Sequence, residues 1–139
     1  MQENSITKTY LAILEGKLVN RESWDNLLQH NKQNRKTFVT TENDGSRAIS
    51  SVIPLANNTH YTLVNIEIVT GRTHQIRAQA SARGYPLAGD IKYGARPTPS
   101  GFFLHAWKLD FPCSITAPIP QEFLQQIESY FGKNIIEKL

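Results

Sequence analysis

The chain has 139 residues, 40% of them hydrophobic and 19% charged, which suits one domain of ordinary size with a real core. Fifteen Lys and Arg against twelve Asp and Glu leave a formal charge of +3. A surplus that small permits a nucleic-acid partner without requiring one, since a solvated surface carries it equally well.

The single cysteine, Cys113, excludes an intramolecular disulfide and points to a reducing compartment. It has no local signature of a nucleophile and reads as a packed thiol. No apolar run approaches the roughly 20 residues of a membrane span. The opening MQENSITKTYLAIL lacks a basic segment followed by a long apolar run, so no signal peptide and a cytoplasmic location are expected.

In chain order, TKTYLAILEGKL alternates Tyr10, Ala12 and Leu14 against Leu11 and Ile13, which predicts a strand buried on both faces. ESWDNLLQHN reads as a short helix capped by Ser23, with Trp24, Leu27 and Leu28 on one face. NKQNRKTFVT mixes loop and short strand, and ENDGSRAISSVIPL runs from an Asp-Gly turn into a strand. HYTLVNIEIV is the clearest strand, and Gly71 breaks it. Thr73 then suits a helix cap, and HQIRAQASAR forms a helix that stops at Gly84. GFFLHAWKLDF reads as another strand. PIPQEFLQQIESYFGK reads as a C-terminal helix, with Phe123, Ile127 and Phe131 four apart and Pro120 at its start. The whole is α+β, richer in strand than in helix and without regular βαβ alternation.

The corner VNIEIVTGRTHQIRAQ concentrates charge. The N–H groups at a helix start, with the helix dipole, favour an anion, and Arg72 flanks them. His74 and Arg77 share one helix face with Ser81, while Ile76 and Ala80 point to the core. This cationic corner awaits a phosphate, a carboxylate on a neighbouring element, or both. The plainer reading is a set of solvated side chains.

TGRTHQIRAQASARGYPLAGDIKYG, followed by FLHAWKLDFP and APIPQEF, resembles the second half of the catalytic domain of RNA pseudouridine synthases, in the large-subunit ribosomal RNA A-type branch. KTYLAILEGKL is similar to that family's tyrosine-bearing strand, and SWDNLLQHNKQNRK to a segment of some members. The resemblance runs from Lys8 to about Phe123. It implies a mixed, mainly antiparallel sheet with flanking helices. It also implies isomerisation of uridine to pseudouridine in rRNA or tRNA, on a base flipped into a pocket, with no metal or organic cofactor.

By position, Tyr10 matches the tyrosine that stacks on the base and takes the C5 proton. Arg77 matches the basic residue that pairs with the catalytic aspartate. Leu104 matches the apolar neighbour of the tyrosine. Arg72, Thr73, His74 and Gln75 belong to the signature, in contact with RNA or in local hydrogen bonds.

The family's nucleophile is an aspartate in a His-Arg-Leu-Asp block ahead of the tyrosine strand. Asp25, Asp44, Asp90 and Asp110 lie in no such block. The expectation is therefore an inactive C-terminal portion of the catalytic domain, in which Arg77 lacks its carboxylate and Asp90 serves as a turn or capping residue. The alternative is a non-catalytic RNA-binding module. Either way an open sheet edge is expected, covered by self-association or by an N-terminal partner segment. His105 reads as a structural residue of the sheet. His30 and His60 have no motif context, and no set of histidines and acids has the spacing of a metal site.

Overall fold

Alternation at period two governs the first half of the chain. The computed structural model describes residues 7–41, 44–68, 73–110 and 114–139. Strand β1 (Thr7–Glu15) buries Tyr10, Ala12 and Leu14 on one face and Leu11 and Ile13 on the other. A strand buried on both faces belongs in the middle of a sheet. Here β1 pairs with β5 (Tyr61–Ile68) on one side and β6 (Leu104–Asp110) on the other.

Outward from β5 come β4 (Ser46–Asn57), β2 (Glu22–Asn31) and the edge strand β3 (Lys36–Thr40). Outward from β6 comes the short β7 (Ser114–Thr116), giving the order β3-β2-β4-β5-β1-β6-β7. Every pairing among the described residues is antiparallel.

The segment read as a helix from ESWDNLLQHN is strand β2. Trp24 and Leu28 are buried there, while Leu27 points to the other face. The apolar spacing 24, 27, 28 suits a helix, but the spacing 24, 28 suits a strand as well. Pairing decides between them: β2 hydrogen-bonds to β3 and β4 on its two sides, which a helix could not do. Strand β6 begins at Leu104, three residues later than the apolar run GFF suggests.

Each sheet face has its own cover. Helix α1 (Thr73–Ala82) lays Ile76 and Ala80, both fully buried, into a cluster with Tyr10, Ala12, Leu14, Val52, Val64 and Ile66. On the opposite face, α2 (Gln121–Phe131) packs Phe123 and Ile127 against Leu11, Ile13, Leu63 and Trp107. Pro120 immediately precedes α2, and Gly132 ends it. The short α3 (Lys133–Lys138) adds Ile135 and Ile136 to that second cluster.

One polar device pins α1 to the sheet. Gln79 is fully buried, accepts a hydrogen bond from Ser50 Oγ at 2.6 Å, and directs its amide nitrogen at Trp24 O, Asn26 Oδ1 and Ala48 O, 3.0–3.1 Å away. A buried amide so fully answered fixes where the helix sits along β2 and β4. Gln79→Ala leaves buried groups on both strands without partners and is expected to cost roughly 2–4 kcal/mol in urea denaturation. A loss below about 0.5 kcal/mol would show that apolar contacts alone position α1.

Candidate active site

The polar stripe of α1 converges on one residue. Tyr93 ends a single 3-10 turn, Ile91–Tyr93, and is buried. His74 Nδ1 lies 3.4 Å from the Tyr93 hydroxyl, Arg77 places its guanidinium 4.7 Å from the Tyr93 ring centre, and Ser81 Oγ donates to the Tyr93 carbonyl at 2.6 Å. The helical spacing that put these three side chains on one face therefore gives them one shared partner.

Arg77 is held from several directions. Its Nε and Nη2 donate to Asp90 Oδ2 and Oδ1, both at 2.8 Å. The guanidinium also lies 4.6 Å from the centre of the Phe102 ring. Arg77 is 12% exposed at the side chain and Asp90 1%. This is a bidentate, nearly dry ion pair with aromatic rings against the cation. The hydrogen bonds that Arg77 donates to Asp90 push its guanidinium above its ordinary range, outweighing burial, so it stays charged at every accessible pH.

Arg77, expected to lack a carboxylate partner, has one in Asp90, thirteen residues along the chain and outside any His-Arg-Leu-Asp block. Asp90 was read as a turn or capping residue. It directly precedes the 3-10 turn, yet makes no side-chain capping bond there, because its carboxylate is committed to Arg77. Gly89 sits at φ +87, and a Cβ on it would collide with the Gly101 carbonyl. Glycine at 89 lets the loop that ends in Phe102 close over Asp90.

Tyr10 is buried on the α1 face of the sheet. It lines a cleft of about 290 Å³ with Lys8, Ala106, Leu109 and Ile115. Leu104 and Phe102 pack on the apolar cluster that contains Tyr10. Tyr10, Leu104 and Arg77 therefore belong to one side of the sheet, with Phe102 in contact with both the arginine and the cluster. Gln75 is buried and turns its amide to Ser50 Oγ at 3.1 Å and Ile49 O at 3.4 Å. Arg72 and Cys113 lie outside the described residues. Thr73 is the first residue of α1.

His74 is pushed below the usual imidazole range, first by burial and then by the charges of Arg77, Lys92 and His30, with Asp90 opposing them. His105 Nε2 sits 3.4 Å from the Ala117 carbonyl. Among the described residues no group of three or more His, Cys, Asp or Glu is placed to hold a metal ion. No described helix is long and apolar enough to cross a membrane. Local sequence pattern does not single out Tyr93 or Phe102, and at Asp90 it points to a turn rather than to a charge partner. The signal for Asp90 was Arg77 itself, because a guanidinium on a packed helix needs an acid, and Asp90 sits in the next turn.

The family described as RNA pseudouridylate synthase matches residues 1–82. The chain is 34% identical over 135 residues to the RNA pseudouridine synthase YlyB of Bacillus subtilis (strain 168), covering 90% of this chain and 44% of that protein. It is 31% identical over 99 residues to ribosomal large subunit pseudouridine synthase D of Haemophilus influenzae, covering 71% of this chain and 30% of that protein. The chain thus spans less than half the length of these relatives. The solved structure of human RNA pseudouridylate synthase domain containing 1 superposes with a TM-score of 0.73 at 25% identity, covering 90% of this chain and 58% of the human one.

Removing one charge from the buried pair is the sharpest test of the site's architecture. Asp90→Asn strands a guanidinium in a nearly dry setting, and a loss of about 3 kcal/mol is expected by chemical denaturation. Asp25→Asn, at the exposed pair with Arg47, should leave stability unchanged within error. Equal effects of the two substitutions would show that the Arg77–Asp90 pair has no special place in the fold.

Proposed function

The chain belongs to the RNA pseudouridylate synthase family, and from that premise we propose that it forms the tyrosine- and arginine-bearing wall of a site that isomerises uridine in RNA, rRNA or tRNA, to pseudouridine. The reaction breaks the bond from C1′ to N1, turns the uracil, and forms a bond from C1′ to C5. The C5 proton leaves and N1 gains one, so there is no net oxidation and no redox cofactor is called for.

The observation that carries this reading is the placement of Tyr10, Leu104 and Arg77 on one side of the sheet, with a cleft beside Tyr10. The cleft has an apolar lining from Ala106, Leu109 and Ile115 and two cations, Lys8 and Lys108, among its residues. A flat base suits that lining and the tyrosine ring. The Tyr10 hydroxyl is the group assigned to take the C5 proton. Asp90 uses Nε and Nη2 of Arg77, so Nη1 is the donor assigned to a second carboxylate, the nucleophile.

None of Asp25, Asp44, Asp90 and Asp110 lies in a His-Arg-Leu-Asp block, and Asp25 and Asp90 are paired with Arg47 and Arg77. We therefore assign the nucleophile to a segment outside this chain, without which the chain is inactive. The sheet edge suits that segment or a second copy of the chain, since β7 pairs with only Lys108, Leu109 and Asp110 of β6. One observation favours the second reading, a non-catalytic RNA-binding module: Asp90 already answers the charge of Arg77.

Tritium release from RNA labelled at uracil C5 separates the readings. No release by the chain alone is expected. Release should appear when a segment carrying the His-Arg-Leu-Asp block is added, and Tyr10→Phe should abolish it. Release by the chain alone would overturn the assignment of the nucleophile. Salt-sensitive RNA binding with no release under either condition would establish the binding module instead.

A further inference from the structure

The β2–β3 hairpin brings a second group of cations to the first turn of α1. His30, exposed on β2, turns Nδ1 to Thr37 Oγ1 at 3.1 Å, and His74 turns Nδ1 to the Tyr93 hydroxyl at 3.4 Å. Both rings are thus engaged through Nδ1, and neither Nε2 has a protein partner among the described residues. The ring centres lie 6.1 Å apart at 65°, edge to face, so the two imidazoles border the same patch of surface.

The surroundings select the sign of the ligand. Lys36 Nζ lies 5.2 Å from the Tyr93 ring centre. Lys92, exposed on the 3-10 turn, reaches back to the Arg35 carbonyl. Arg77 lies on the same helix face as His74. The acid beside these groups is Asp90, and both its oxygens are spent on Arg77. Three cationic side chains and two imidazoles meet here with no uncommitted carboxylate among the groups named, so a metal ion is repelled and an anion attracted.

We propose that a phosphate group binds between Nε2 of His30 and Nε2 of His74, flanked by Lys36 and Lys92, and that its source is an RNA backbone phosphodiester. The site joins the hairpin to the signature helix and is separate from the Tyr10 cleft. Its RNA source rests on the functional reading above, whereas its phosphate chemistry rests on the geometry alone. Burial and nearby cations hold the proton off His74 in the unliganded protein, and a bound phosphate reverses that balance. Binding therefore tightens as pH falls through the imidazole range.

Long-range proton–nitrogen NMR of the imidazoles tests this, with inorganic phosphate in one titration and a short oligouridylate in another. Both histidines should titrate at higher pH in the presence of phosphate. The oligouridylate should bind about tenfold tighter near pH 5.5 than near pH 7.5, the size of one added charge-assisted contact. His30→Gln, at an exposed position that leaves the fold intact, should remove most of that pH dependence, and His74→Gln should do the same. Unmoved histidine titrations with both probes would overturn the site. RNA binding that is equally tight at both pH values, and unchanged in His30→Gln, would overturn the site while leaving the RNA reading standing. Histidine shifts with inorganic phosphate but no oligouridylate binding would support the phosphate site and overturn its RNA source.

Discussion

A charged side chain that leaves water must be answered, and the region around α1 is arranged so that Arg77 is. The helix delivers the guanidinium to the 3-10 turn, Asp90 meets it with both oxygens, and the rings of Tyr93 and Phe102 lie against it. Each element has a reason to be where it is only because the others are present. Gly89 lets residues 98–102 come close, and those residues bring Phe102 to both the cation and the apolar cluster. A buried pair of this kind adds little net stability over an apolar alternative, but it penalises arrangements that separate the two charges. Its value here is placement: it aims a permanently charged donor from the helix that also carries His74.

The sheet supplies the other half of the placement. β1 is central and fully clad, so Tyr10 rests on a strand that cannot shift without disturbing two apolar clusters. The bonds of Gln79 to β2 and β4 fix the helix that carries Arg77 relative to that same sheet. Functional side chains mounted on well-packed elements hold their geometry better than side chains on loops. The tyrosine and the arginine come from parts of the chain far apart in sequence and are tied together through a common core.

Much of this was legible in the residues. The alternation in TKTYLAILE, the inward pair Ile76 and Ala80, and the C-terminal stripe of Phe123 and Ile127 all correspond to buried faces. Local pattern failed where a distant partner made the decision. β2 carries apolar residues at spacings that serve a helix or a strand, and only the hydrogen bonds of β3 and β4 select the strand. Asp90 sits where turns put aspartates, and nothing local says that its carboxylate faces a helix thirteen residues back. The pairing of His30 with His74 was illegible for the same reason, since it depends on β2 being a strand that carries His30 to the start of α1.

The cationic corner therefore divides its labour: Arg77 is satisfied by Asp90, while the partly buried His74 sits beside the charge of Lys92. Nitrogen-detected NMR of the arginine side chains tests the central claim most directly. A guanidinium fixed by Asp90 should show an Nε proton slow to exchange and Nη resonances kept apart by hindered rotation, and Asp90→Asn should collapse both signatures. An Arg77 whose Nη signals are averaged like those of exposed Arg83, with an Nε proton in fast exchange, would contradict the account.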